Sequence, residues 1–369
     1  MAATGRTASF ESAALAERVR DAAFVHAVAH ADGDSLAAAS QLARACDALG
    51  TPYQVSLVRS RSSARSRVAS VAASDTALAI GVDAGEDAHP LDTDGPHALA
   101  AHEVADRLAP ESADPALALA GAVSTDWTPQ GDVLDAAAVS RRPGVGIPVA
   151  DLADGLAHST RLSGPFSGDE GMAGALLAEL GLPAELDADA HRRLASRVAL
   201  DVTDDAPVSA ADALSRVLRP HVLDDDSFET VEGYADVLDT VARVAPGVGT
   251  AFALGRGDRA DVLDAWRDAA SAAHAALAAA EVKRYSGLVT VDAGDADPWL
   301  VARLARDFHG VEPAALALGD ESAALATTDA DARRSLAAVV GADHVGGRAT
   351  LASSTRLTED LAETVRGEL

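Results

Sequence analysis

The sequence predicts an α/β protein, with an N-terminal domain on a parallel sheet, a helical connector and a smaller C-terminal α/β domain. Three observations carry that reading. Between about residues 20 and 130, apolar runs of strand length alternate with helical patterns. A segment rich in Pro, Gly and Ser then runs from Arg141 to Gly171, and a second alternation starts after the acidic loop Asp224, Asp225, Asp226. The expected boundaries are 1–140, 141–223 and 224–369.

Taken in order, Phe24 to Ala29 is the first strand, and Ser35 is expected to cap the helix that follows. Tyr53 to Val58 and Thr76 to Val82 are the second and third strands, the latter ending in Asp83-Ala84-Gly85. A helical stretch from Pro96 to Leu108 and an apolar one from Pro115 to Val123 follow, the second ending in Ser124-Thr125-Asp126. Helices fill Gly171 to about Leu218, broken at Pro183 and Pro207. In the last domain the pattern gives helices over Thr230 to Val244, Asp258 to Ala280 and Pro298 to Arg306. Its expected strands include Gly287 to Val291 and Ala314 to Leu318.

The 369 residues carry 57 acidic against 30 basic side chains, a formal net charge of -27, and the basic set includes one lysine, Lys283. Few aromatics, abundant alanine and lysine depletion resemble proteins adapted to molar salt. The Debye length there is about 3 Å, so global acidity does not exclude a polyanionic partner. Cys46 is the single cysteine, which rules out an internal disulfide framework and a cysteine-based zinc cluster. No stretch reaches the length of a membrane span and no signal-peptide pattern opens the chain, so the expectation is a soluble, cytoplasmic protein with no membrane partner.

The most informative stretch is VHAVAHADGD. An extended segment places alternate side chains on one face, so His30, Asp32 and Asp34 can converge on a divalent cation at a strand's carboxyl end. Asp83, at the end of another strand, is expected to face the same crevice. A two-ion phosphodiester-cleaving site needs several such ligands, and His30, Asp32, Asp34, Asp83 and Asp126 form the candidate set.

The His-x-Asp-x-Asp-Gly-like run resembles motif I of the DHH phosphoesterase family, in its RecJ-like branch, although Ser35 stands where that pattern has glycine. The resemblance implies a DHH-type domain followed by a DHHA1-type domain. It matches Asp83-Ala84-Gly85 to the family's Asp-x-Gly and Asp126 to its fourth motif. The Asp-His-His triplet that names the family has no match. The stretch GEDAHPLDTDGPH after Asp83 reads as too short for the missing strand; Asp87-Ala88-His89 lies too close to Asp83, and Asp92, Asp94 and His97 stand in no recognisable context. Near the end, Gly346-Gly347-Arg348 resembles the DHHA1 glycine signature, where backbone and arginine approach a substrate phosphate.

Local charge adds a further indication. From Ala48 to Ser74 there is no acidic residue, while Arg59, Arg61, Arg65 and Arg67 are present. Guanidinium forks suit phosphate oxygens, though the same arginines could pair with acidic helices. Trp127 could touch a base, whereas Trp266 and Trp299 read as core anchors. The resemblance therefore implies a Mn- or Mg-dependent phosphodiesterase, a single-strand exonuclease with a degenerate metal centre. The alternative is a non-catalytic relative that binds single-stranded DNA or RNA as a replisome or repair subunit.

Overall fold

The computed structural model describes residues 4–183, 186–204, 206–224 and 227–369, so Asp225 and Asp226 of the acidic loop lie outside the described residues. The chain begins with α1 (Thr4–Asp21), β1 (Val25–His30), α2 (Gly33–Leu49), β2 (Tyr53–Val58), α3 (Arg61–Val68) and β3 (Thr76–Ile80). It continues through β4 (His89–Pro90), α4 (His97–Leu108) and α5 (Pro115–Ser124). The first sheet has the order β2-β1-β3-β4, with every neighbour pair parallel. β1 is buried along almost its whole length, as a central parallel strand covered by helices requires. Because β2 and β3 lie on opposite sides of β1, the strand order reverses there, and a crevice opens at the carboxyl ends of β1 and β3.

Two sequence expectations need correction in this half. The segment after Asp83 does hold a strand: β4, two residues long, pairs parallel with β3 through Leu78 with His89 and Ala79 with Pro90. So short a bridge carries no alternation to read. The cap of α2 is Asp32, whose carboxylate accepts the Ser35 N–H at 2.8 Å, and Ser35 lies inside the helix.

The middle of the chain comprises α6 (Asp132–Ala136), β5 (Ser140–Arg141), α7 (Leu152–His158), α8 (Glu170–Leu180), α9 (Ala188–Thr203), α10 (Ser209–Ser215) and β6 (His221–Val222). β5 and β6 pair antiparallel and clasp the two ends of this segment together. The last part runs α11 (Val231–Val244), α12 (Pro246–Ala253), α13 (Arg259–Ala279), β7 (Lys283–Tyr285), β8 (Leu288–Gly294) and α14 (Pro298–Leu304), which passes into a π turn over Ala305–His309. Then follow β9 (Ala314–Gly319), β10 (Ala323–Thr327), α15 (Ala332–Val340), β11 (Val345–Arg348), β12 (Leu351–Ser354) and α16 (Leu361–Gly367). The second sheet has the order β11-β12-β10-β9-β8-β7, antiparallel except between β8 and β9.

The cores show how these parts join. Leu36, Leu117 and Leu119 share one cluster with Val237, Leu238, Val241 and Trp266, so α11 and α13 cover helices of the first sheet. Residues 231–266, grouped by sequence with the C-terminal part, thus bury their apolar face against the N-terminal part. The connector helices pack instead on the second sheet, where Phe166, Leu194 and Val198 meet Val289, Trp299 and Leu300. Truncating a fully buried Leu238 to Ala would cost about 2–5 kcal/mol.

Candidate functional site

The crevice at the end of β1 is a cleft of about 850 Å³, closed on its far side by β11 and the start of α15. Asp32, Asp34, Asp83, Asp126, Gly346, Gly347, Arg348 and Arg61 all line it. The segment after β4, Leu91 to His97, lines it too, which places Asp92, Asp94 and His97 where the strand order calls for a site. His30 lies just beneath, fully buried.

Each carboxylate already has partners. Asp32 accepts from the His30 Nδ1–H at 2.8 Å and from the Ser35 N–H. Burial opposes its ionisation, but His30, Arg348 and the Ser35 N–H together hold the carboxyl well below the usual carboxylate range. Asp34 turns away to the start of α4: Oδ2 accepts the His97 N–H at 2.8 Å and faces His97 Nδ1 at 3.0 Å, while Oδ1 accepts the Ala98 N–H at 2.8 Å. It therefore caps a helix that lacks a capping side chain of its own. Burial works against a charged His97, but the Asp34 hydrogen bond and charge, with Asp32 and Asp92, outweigh it and raise the imidazole pKa.

Asp126 sits at φ 66, a left-handed conformation that aspartate tolerates, just past the end of α5. Its Oδ1 accepts from Arg161 Nη2 at 3.1 Å and lies 3.4 Å from Arg216 Nε. Burial is again opposed, here by Arg216, Arg161, Arg348 and Arg306, and the carboxyl stays well below its ordinary pKa. Asp83 is exposed, with Arg61 and Arg65 at 3.6 and 3.5 Å from Oδ2. Arg65 also reaches Asp343 of the C-terminal part at 2.9 Å. Arg59 lies 3.5 Å from Asp297 and donates to the Arg243 carbonyl at 2.5 Å. The basic run is thus largely paired with acidic groups of the chain itself.

Gly346 and Gly347 lie on an edge strand, and the reason for the first glycine is contact: a Cβ on Gly346 would collide with the Arg59 carbonyl and stand 2.7 Å from His30 Nε2. That Nε2 is buried and has no hydrogen-bond partner among the described residues. It faces the Gly346 backbone. Gly81 plays a similar part after β3, at φ 67, where a Cβ would collide with Ser35 Oγ.

As arranged, this donor set does not fit a two-ion centre. Both oxygens of Asp34 are taken by backbone N–H groups, and arginines engage Asp126 and Asp83. Among the described residues, the group of three ligands with donor atoms within 4.8 Å of one another is Asp154, His158 and Glu170, outside this cleft. Arg348 has the opposite character. Its guanidinium lowers the pKa of both Asp32 and Asp126, packs 5.3 Å from the Trp299 ring, and leaves Nε and Nη1 without a partner among the described residues.

Sequence reasoning missed the layer below. Asp239, fully buried on α11, accepts the Gly33 N–H at 3.1 Å, Arg303 Nη1 at 2.7 Å and Trp299 Nε1 at 3.3 Å. Asp236, one turn earlier, accepts from the Thr160 N–H at 3.0 Å and Trp266 Nε1 at 3.2 Å, and burial raises its pKa despite Arg303 and Thr160. The available signal was the spacing: two acids three apart on a helix, flanked by Val237, Leu238 and Val241.

Comparison with known proteins now defines the lineage. A family model described as the C-terminal domain of uncharacterized protein rrnAC1427 matches residues 280–367. Over 359 residues the chain is 43% identical to uncharacterized protein rrnAC1427 of Haloarcula marismortui, covering 94% of each. The chain belongs to the rrnAC1427 family. Among solved structures, CDC45 from Entamoeba histolytica superposes with a TM-score of 0.56 at 9% identity, over 99% of this chain and 98% of that one. RecJ from Thermus thermophilus in complex with Mg2+ aligns at a TM-score of 0.45 and 14% identity, over 97% of this chain and 51% of the RecJ chain. The α/β architecture, with its parallel first sheet and separate C-terminal sheet, is the one shared with CDC45.

Proposed function

We propose that this rrnAC1427-family protein is a RecJ-derived binder of single-stranded DNA or RNA, acting without cleavage as a replication or repair subunit. The observation that carries the reading is Arg348: a guanidinium in the cleft with unpartnered donors, set between two ionised carboxylates. Its charge offsets the acidic wall, and its Nε and Nη1, buried without a partner among the described residues, leave the guanidinium hydrogen-bonding capacity that a phosphate oxygen would fill once the side chain turns toward it. The acids beside it are answered by α4 and by Arg161, Arg216, Arg61 and Arg65, which lowers their repulsion of a polyanion. High ionic strength screens what remains.

A second reading, a Mn- or Mg-dependent single-strand phosphodiesterase using His30, Asp32, Asp34, Asp83 and Asp126, is favoured by the His30 and Asp32 pair at the end of β1. It requires Asp34 to release α4. End-labelled single-stranded DNA and RNA incubated in molar KCl with Mn separates the two. The binding reading expects intact strands from wild type and from Asp32→Ala alike. Mn-dependent shortening that disappears in Asp32→Ala would establish the phosphodiesterase instead.

A further inference from the structure

Trp127 is the tryptophan of this chain that reaches the cleft. Trp266 and Trp299 are fully buried, whereas Trp127 is half-buried, packs against the cluster formed by α2, α5 and α11, and lines the cleft with Thr125 and Asp126. The turn that carries it is held firmly. Asp126 sits at φ 66, its N–H bonds the Val123 carbonyl at 3.0 Å, and its carboxylate is gripped by Arg161, which also donates to the Val123 carbonyl at 3.0 Å. A large aromatic on a rigid mount, lining the same cleft as Arg348, has the build of a stacking platform. The sequence separates Trp127 from the core anchors Trp266 and Trp299, and the structure adds a side chain that packs on the core and also lines the cleft.

We propose that Trp127 stacks on a nucleobase, so that the cleft takes strands with unstacked bases in preference to polyanions that lack them. This rests on the nucleic-acid reading of the cleft and adds the part of the ligand that phosphate contacts leave undefined. A duplex keeps its base faces covered, and a polyphosphate has none, so Arg348 would meet any of these ligands while Trp127 would meet only the single strand.

The test follows tryptophan emission of the full chain in molar KCl during titration with an oligothymidylate, beside the anisotropy of labelled oligothymidylate and of an abasic strand of equal length. The inference expects the thymidylate to quench emission in wild type but not in Trp127→Phe. Trp127→Ala should bind thymidylate about tenfold more weakly while binding the abasic strand as wild type does. Trp127→Phe, with an unchanged thermal midpoint, guards against a simple folding defect. Equal thymidylate binding by wild type and Trp127→Ala, without quenching, overturns the stacking role and leaves the cleft reading standing. Failure of wild type to bind either strand overturns both.

Discussion

Asp34 and Asp239 hold the same short stretch of the chain from opposite sides. Asp34 lines the cleft and ties the start of α2 to the start of α4, whereas Asp239 lies beneath and ties Gly33 to Arg303 and Trp299. One was expected to hold a metal; the other went unnoticed. In both places the carboxylate is satisfied by N–H groups of the protein. The charges of this acid-rich turn are spent on joining elements, and the two buried aspartates differ mainly in their partners: backbone N–H groups and His97 for Asp34, an arginine and an indole for Asp239.

The largest effect is expected at Asp239. Asp239→Ala leaves Arg303 charged and buried, with the Gly33 N–H and Trp299 Nε1 losing their acceptor, and the expected cost is about 3–5 kcal/mol in denaturant unfolding. A loss below about 1 kcal/mol would mean that water replaces the carboxylate and that the layer is not closed.

A smaller effect is expected at Asp34. Asp34→Ala removes the acceptor for two backbone N–H groups and should cost about 1–3 kcal/mol. The pair also has a pH signature. Because the His97 pKa is raised above its ordinary 6.5, its contribution is fully present below that pH and is lost as pH rises through the raised value. The difference in thermal midpoint between wild type and His97→Gln should therefore narrow as the solution is made alkaline. A difference that widens instead would place the Asp34 interaction on the neutral imidazole.

The smallest change is expected on the rim. Arg65 and its partners Asp83 and Asp343 are all substantially exposed, so Arg65→Ala should move stability by at most about 0.5 kcal/mol, and less in molar salt. A large effect there would mean that the bridge to Asp343 holds α3 against the C-terminal part.

Much of the first sheet was legible because its signals are local. Tyr53–Val58 has the expected limits, and β1 begins one residue later than expected and includes His30. Proline marked the ends correctly: the breaks expected at Pro183 and Pro207 fall between α8 and α9 and before α10. β4 was missed because a two-residue parallel bridge has no periodicity, and β11 because two glycines carry little strand preference. Contact with Arg59 and His30, near the opposite end of the sequence, is what demands Gly346 there. The meeting of candidate residues was legible in part: Asp32, Asp34, Asp83, Asp126, Gly346 and Arg348 line one cleft. Its chemistry was not, because the partners that occupy those carboxylates come from His97, Arg161 and Arg216, which no short motif connects to them.

On the proposed reading a guanidinium, with no metal, meets the phosphate in this cleft. The most direct test is the affinity of a labelled single strand in molar KCl, measured with EDTA and with Mn, for wild type and Arg348→Ala. Equal wild-type affinity in both conditions, with a loss of about tenfold or more in Arg348→Ala, is the predicted result. Binding that appears only with Mn and survives Arg348→Ala would contradict it.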